Sequence, residues 1–282
     1  MNHQTLKKRS GSNSLLWIAI LIIVILIVVL YTCRAQRNNQ STATNHTTAI
    51  TGLNNLQIPE VKPNDEIVQH AAYTLSFNPK HKEANWVAYV LTNHSSMSAH
   101  YSRTNRFISD PKVKSGTPYD EDYESSGYDR GHLAPAEDMS WSSTSMAESF
   151  YYSNMTPQVP AFNRGVWKRL EELVRYWSTV YDSLYIVTGP VLTNDLPSIG
   201  PDKVSIPKYF YKVILEYNHN GAQGIGFILP NEASAKTLKS FAVSIDSVEH
   251  LTGINFFPAL PDNQEEAIEG NMNINEWRWT RK

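Results

Sequence analysis

From Leu15 to Tyr31 the chain carries no charged residue and consists almost wholly of Leu, Ile and Val, and no other feature limits so strictly what it folds into. As an α-helix rising 1.5 Å per residue, the run spans about 25 Å, the short end of what a bilayer core requires. Lys7, Lys8 and Arg9 precede it and Arg34 and Arg37 follow it. A basic start also suits a cleaved secretory signal. The run is long for the apolar part of such a signal, however, and ends Leu30-Tyr31-Thr32-Cys33, without a small-x-small cleavage site. The expectation is a basic segment over 1–14 and a retained, single-pass signal anchor over 15–32. The positive-inside bias is slight; signal-anchor behaviour puts the N-terminus inside and the rest of the chain outside the cytoplasm.

Residues 33–58 are rich in Asn, Thr, Ser and Gln and poor in apolar positions, the composition of a solvated linker. The folded domain is therefore expected over 59–282, long enough to bury a sizeable core without disulfides. Cys33 is the only cysteine, so no disulfide forms within one chain, and its thiol is either idle or a lipid attachment point. Five of the 25 basic residues and none of the 27 acidic ones lie in residues 1–40, which leaves the remainder net acidic by seven. That balance is awkward for a nucleic-acid binder unless basic side chains gather locally. Lys80, Lys82, Arg103, Arg106 and Arg130 are the candidates for such a strip.

Alternation of apolar and polar residues over 73–77 and a β-prone run over 85–91 predict neighbouring strands. Residues 102–128 read as a long, polar surface excursion. Val166, Leu170, Leu173, Val174 and Trp177 recur near a period of 3.6, which predicts a helix from Gly165 to Tyr181. Further strands are expected over 184–187, 209–217 and 224–229, and helices over 231–241 and 245–251. Strands grouped between a few helices indicate an α+β fold.

The chemistry concentrates in Tyr128-Asp129-Arg130-Gly131-His132-Leu133-Ala134-Pro135. By average residue usage, a preset string such as Asp-Arg-Gly-His arises by chance in on the order of one in a thousand chains of this length. In an extended segment Arg130 and His132 project from one face. A neutral imidazole can take a proton from water near pH 7, and an arginine can neutralise phosphate oxygens bidentately. Phosphodiester hydrolysis also needs a positive centre near the departing oxygen, commonly a divalent cation. Asn163 and Glu171 flank the start of the strong helix and share one broad side of it. An amide oxygen and a carboxylate there suit magnesium, which prefers oxygen ligands and keeps several waters.

Asp129-Arg130-Gly131-His132, then Ser153-Asn154-Met155-Thr156-Pro157-Gln158, then Phe162-Asn163-Arg164-Gly165-Val166-Trp167 with Leu170-Glu171, resemble the DNA/RNA non-specific endonucleases. The likeness runs from about Tyr73 to Asp262 and includes Asn78-Pro79-Lys80-His81-Lys82, Val187-Thr188-Gly189-Pro190 and Ala259-Leu260-Pro261-Asp262. It implies a ββα-metal site within a mainly antiparallel α+β domain that hydrolyses DNA and RNA with Mg2+, or with Mn2+ as the alternative ion. His132 would be the general base, Asn163 the metal ligand, Arg130 the phosphate-side arginine and Glu171 the acid supporting metal-bound water. Asn154 would orient the histidine from its neighbourhood. A further family arginine lies upstream of the motif, and Arg106 is preferred to Arg103 for it as a substrate contact.

Each residue also has a plainer role open to it. Asn163 can cap the helix, Glu171 can pair with Arg175 at i+4, and Arg130 can pair with a nearby acid. Asp129 is expected to be structural, Gly131 to serve backbone geometry, and Trp167 to lie in the core. The rival to an enzyme is a non-catalytic, membrane-tethered module that captures nucleic acid on a nuclease fold. The sequence leaves open whether the chain forms a homodimer. A cytoplasm-facing nuclease would need restraint by a protein inhibitor.

Overall fold

The computed structural model describes residues 55–98, 100–218 and 221–280. The expected basic segment, the anchor over 15–32 and residues 33–54 of the linker lie outside the described residues. Among those described, no helix is long and apolar enough to cross a membrane. Leu56 is fully buried, so the packed region starts ahead of Pro59.

The elements follow the apolar pattern closely in the first half of the domain. Strands β1 (Glu66–Gln69), β2 (Tyr73–Asn78) and β3 (Glu83–Thr92) pair antiparallel in sequence. The β2–β3 turn closes on Asn78, whose Oδ1 accepts from the Lys80 and His81 amides at 3.1 and 3.3 Å, while Lys82 takes a left-handed φ of 58°. Short helices α1 (Asn93–Met97) and α2 (Asp120–Tyr123) flank an irregular stretch. That stretch and α2 are less superficial than expected, because Asp110, Val113 and Thr117 of the one and Asp122 and Tyr123 of the other are buried.

Strand β4 (Asp129–His132), helix α3 (Ser143–Glu148) and strand β5 (Met155–Gln158) come next, with β4 and β5 paired as a separate antiparallel ribbon. A wide π-type turn over Phe162–Trp167 then leads into α4 (Lys168–Tyr181). Regular helix was expected from Gly165, but that residue leaves helical geometry at φ −108° and ψ −108°, so α4 starts three residues later. Leu170, Leu173, Val174 and Trp177 are buried, as the period of 3.6 requires.

After α4 come β6 (Ser183–Pro190), the short pair β7 (Ser198–Ile199) and β8 (Val204–Ser205), then β9 (Tyr209–Asn218), β10 (Gly221–Pro230) and β11 (Ala242–Val243). Helices α5 (Ile245–Thr252) and α6 (Asp262–Gly270) close the fold. The main sheet has seven antiparallel strands in the order β1-β2-β3-β6-β9-β10-β11. Phe227 of β10 meets Trp177 of α4 at a ring separation of 6.2 Å. Its neighbours Gly224 and Gly226 face α5, so alternation along β10 places α4 and α5 on opposite faces.

The helix expected over 231–241 is corrected to a single 3-10 turn, Leu238–Phe241. Backbone carbonyls that a helix there would need internally are taken elsewhere: Arg169 Nη2 donates to Ser234 O and Lys236 O at 3.0 and 3.1 Å. Asn231 is likewise committed, accepting from Val159 N and donating to the Pro157 and Pro207 carbonyls.

Candidate active site

Strand alternation sets the site. Arg130 and His132 leave one face of β4 toward an open cleft of about 680 Å³, which Asn163 and Glu171 line from the other side. Asp129 and Gly131 leave the opposite face. Gly131 is required there, since a Cβ would fall 2.1 Å from Cδ of the buried Gln158.

His132 is only partly exposed, and its Nε2 is fully enclosed without a hydrogen-bond partner. The ring packs edge-on against Phe150 at 4.9 Å and lies 6.0 Å from Phe107. Burial first, and the charge of Arg103 second, pull its pKa down to about 3, so the imidazole is neutral at pH 7. An anionic phosphate in the cleft would raise that basicity toward the range useful for proton transfer.

Asn154 is fully buried, outside the cleft lining, and makes no side-chain hydrogen bond to the His132 ring. Its Oδ1 accepts from Ala134 N, and its Nδ2 donates to the Ala134 and Ser149 carbonyls, all at 2.9 Å. Its own carbonyl accepts from Leu133 N at 3.0 Å. The turn that leaves His132 is thus pinned at consecutive residues.

Arg130 donates from Nε to Tyr152 Oη at 2.9 Å and from Nη2 to Asp120 Oδ1 at 2.8 Å. Its guanidinium carbon lies 5.3 Å from the Phe107 ring centre and 5.6 Å from that of Tyr123. These contacts fix the guanidinium while leaving it part of the cleft wall.

Asn163 sits in the wide turn ahead of α4 and makes no helix cap. Its Nδ2 donates to Asp129 Oδ2 at 2.9 Å, and Arg164 grips both oxygens of the same carboxylate from Nε at 2.8 Å and Nη2 at 2.5 Å. The structural role expected of Asp129 is therefore to hold these two side chains. With its nitrogen committed, the Asn163 amide has its oxygen left for a cation.

Glu171 forms no ion pair with Arg175, which instead binds the buried Asp138 at 2.6 Å. Burial raises the Glu171 carboxyl, opposed by the nearby charges of Lys212 and Arg175. Lys212, in the centre of β9, is fully buried; its Nζ has no hydrogen-bond partner and lies 4.9 Å from the Trp167 ring centre. Trp167 is core, as expected.

Of the two upstream arginines, both exposed, Arg103 lines the cleft and lies 5.1 Å over Phe150, whereas Arg106, the expected substrate contact, is outside the lining. Phe107, next to Arg106, turns its ring inward beside His132 and Phe150. The expected basic strip is corrected: Lys80 and Lys82 are engaged at Asn194 and at the Ser115 and Gly116 carbonyls, away from the cleft. In their place Arg164, Lys168 and Arg175 join Arg103 and Arg130, against Glu137, Glu171 and Glu172. Lys168 and Arg175 were legible in their spacing, since 168, 171 and 175 fall on one helical stripe, whereas Arg164 lies in the wide turn ahead of it.

Comparison with known proteins accords with this geometry. The DNA/RNA non-specific endonuclease family model matches residues 53–263. Mitochondrial nuclease EXOG of Danio rerio is 33% identical over 208 residues, covering 68% of this chain and 61% of that protein. Nuclease C1 of Cunninghamella echinulata var. echinulata is 36% identical over 214 residues, covering 69% and 84% respectively. The chain thus spans about three-fifths of the EXOG proteins and more of the fungal nuclease. The crystal structure of EndoG bound to EndoGI aligns with a TM-score of 0.68 at 31% identity, over 73% of this chain and 90% of that one. On the match of sequence and fold together, the chain belongs to the DNA/RNA non-specific endonuclease family.

Proposed function

We propose that the chain is a membrane-anchored, magnesium-dependent endonuclease that hydrolyses phosphodiester bonds of DNA and RNA without reading sequence. The observation that carries this is the convergence of His132, Asn163 and Glu171 with two arginines, Arg103 and Arg130, on one open cleft.

The donor set fits a hard cation. Asn163 Oδ1 and the Glu171 carboxylate are oxygen donors free of hydrogen bonds among the described residues, and waters complete such a shell. These two residues would hold Mg2+, or Mn2+ in its place, and when bound the ion supplies positive charge beside the scissile phosphodiester. The remaining steps belong to the chain's own residues. With His132 Nε2 enclosed, Nδ1 takes the proton from the attacking water. Arg130 and Arg103 neutralise phosphate oxygens, and Asn154 keeps the turn beside the imidazole in place.

Five basic and three acidic side chains line the cleft, and Arg130, Arg164 and Arg175 also pair with Asp120, Asp129 and Asp138, so phosphate contact rests on individual arginines and not on a net positive field. Recognition through phosphates follows, with strong salt dependence and little base preference. The apolar run at residues 15–31 would tether the domain to a membrane, with the cleft outside the cytoplasm. The solved complex of EndoG with EndoGI supports a protein inhibitor as a partner.

The test is incubation of the full chain with supercoiled plasmid and with single-stranded RNA, in Mg2+ or EDTA, across a salt series. Magnesium-dependent loss of both substrates, weakening as salt rises, is expected. A folded chain that binds nucleic acid and cuts neither would transfer support to the capture module.

A further inference from the structure

Away from the cleft, α5 and α6 are pressed against β10 by two glycines. A Cβ on Gly224 would lie 2.5 Å from Ile245 Cδ1 and 2.8 Å from Ile268 Cγ2, and one on Gly226 would lie 2.7 Å from Val248 Cγ2. This close approach brings together acidic residues that helical spacing has already put on facing sides: Asp246 and Glu249 at i, i+3 on α5, and Glu265 and Glu269 at i, i+4 on α6.

One carboxylate oxygen from each of Asp246, Glu249 and Glu269 lies within 4.8 Å of the other two. Glu269 is only 6% exposed, and its Oε1 is fully enclosed with no hydrogen-bond partner among the described residues. Glu249 Oε1 accepts from Phe256 N at 2.7 Å. None of the three joins an ion pair among the described residues. Burying a carboxylate without a partner beside like charges is costly, and it persists where a proton or a cation relieves it. Burial, then Glu249, Glu265 and Asp246, push the Glu269 carboxyl up to about 8.

We propose that Asp246, Glu249 and Glu269 form a binding site for one hard divalent cation of calcium's size, on the sheet face opposite α4. Oxygens that lie within 4.8 Å of one another can share one ion at calcium–oxygen bonds of about 2.3–2.6 Å. Three carboxylates distinguish the site from the cleft, where one amide oxygen and one carboxylate face the substrate. Its role is to clamp α5 to α6, so its occupancy is read in stability and not in cleavage.

Calcium is titrated calorimetrically into the nucleic-acid-free full chain carrying Asn163→Ala, which removes the proposed cleft ligand, and melting is followed in parallel. One calcium per chain and a melting temperature that rises with calcium are expected. Adding Glu269→Gln lowers the affinity by roughly tenfold or more and removes the rise. Asp246→Asn, at an exposed position, weakens binding similarly and decides the matter if the Gln variant does not fold. No calcium uptake, or uptake that neither substitution weakens, overturns the proposal. A Glu269→Gln chain that melts higher, in a background without any calcium response, shows that a proton and not a cation relieves the cluster.

Discussion

Asn154→Ala would remove the one side chain that fixes the turn after His132. Three hydrogen bonds of 2.9 Å are lost, leaving Ala134 N, Ala134 O and Ser149 O unpaired by it in a fully buried site. Each orphaned buried group costs about 1–3 kcal/mol; because the three share one side chain, their sum is taken near the lower end, about 3 kcal/mol. In a domain of this size that corresponds to a fall in Tm of about 6–12 °C. Asn154→Asp keeps the acceptor, loses both donations and buries a charge, so it gives no rescue. Thermal and urea unfolding of the full chain measure the loss. kcat should fall while KM for nucleic acid holds, because Asn154 hydrogen-bonds to Leu133, Ala134 and Ser149 and to no residue of the cleft wall. A Tm within about 2 °C of wild type would refute the reasoning, since the turn would then be held by something else.

Two further outcomes follow from the cleft. Arg103→Ala should cut kcat/KM by about tenfold or more and flatten its salt dependence, while Arg106→Ala leaves both near wild type; equal effects would contradict the assigned positions. Lys212→Met removes a positive charge that lowers the Glu171 carboxyl, so that carboxyl rises further. The ionised form is the one required, so the acid limb of the kcat/KM profile should move to higher pH; His132 contributes nothing to that limb in the free chain, being neutral down to about pH 3. An unmoved limb would separate Lys212 from Glu171.

Much of the fold was written in short-range pattern. The alternation over 73–77, the period of 3.6 through Trp177 and the β-prone run at 209–217 each produced the expected element, the helix by burying one face and the central strand β9 as a continuous run buried on both. The helix expected over 231–241 failed where Arg169, distant in sequence, takes the carbonyls. Helix α6 was missed because its apolar positions are few, and its packing depends on Gly224 in a strand. At the site, Arg130, His132, Asn163 and Glu171 were legible from residue type and spacing. The choice between Arg103 and Arg106 was not, since it depends on the path of an irregular loop past the cleft. Nor was Lys212, whose place beneath Glu171 is created only by sheet order.

The central claim is that His132 performs the proton transfer. Single-turnover cleavage of supercoiled plasmid by the full chain in Mg2+ at pH 7, with wild type beside His132→Ala, tests it most directly. The account predicts a fall of about 10²–10⁴-fold in the cleavage rate with plasmid binding intact and the fold retained. A His132→Ala chain that cuts at the wild-type rate would contradict it.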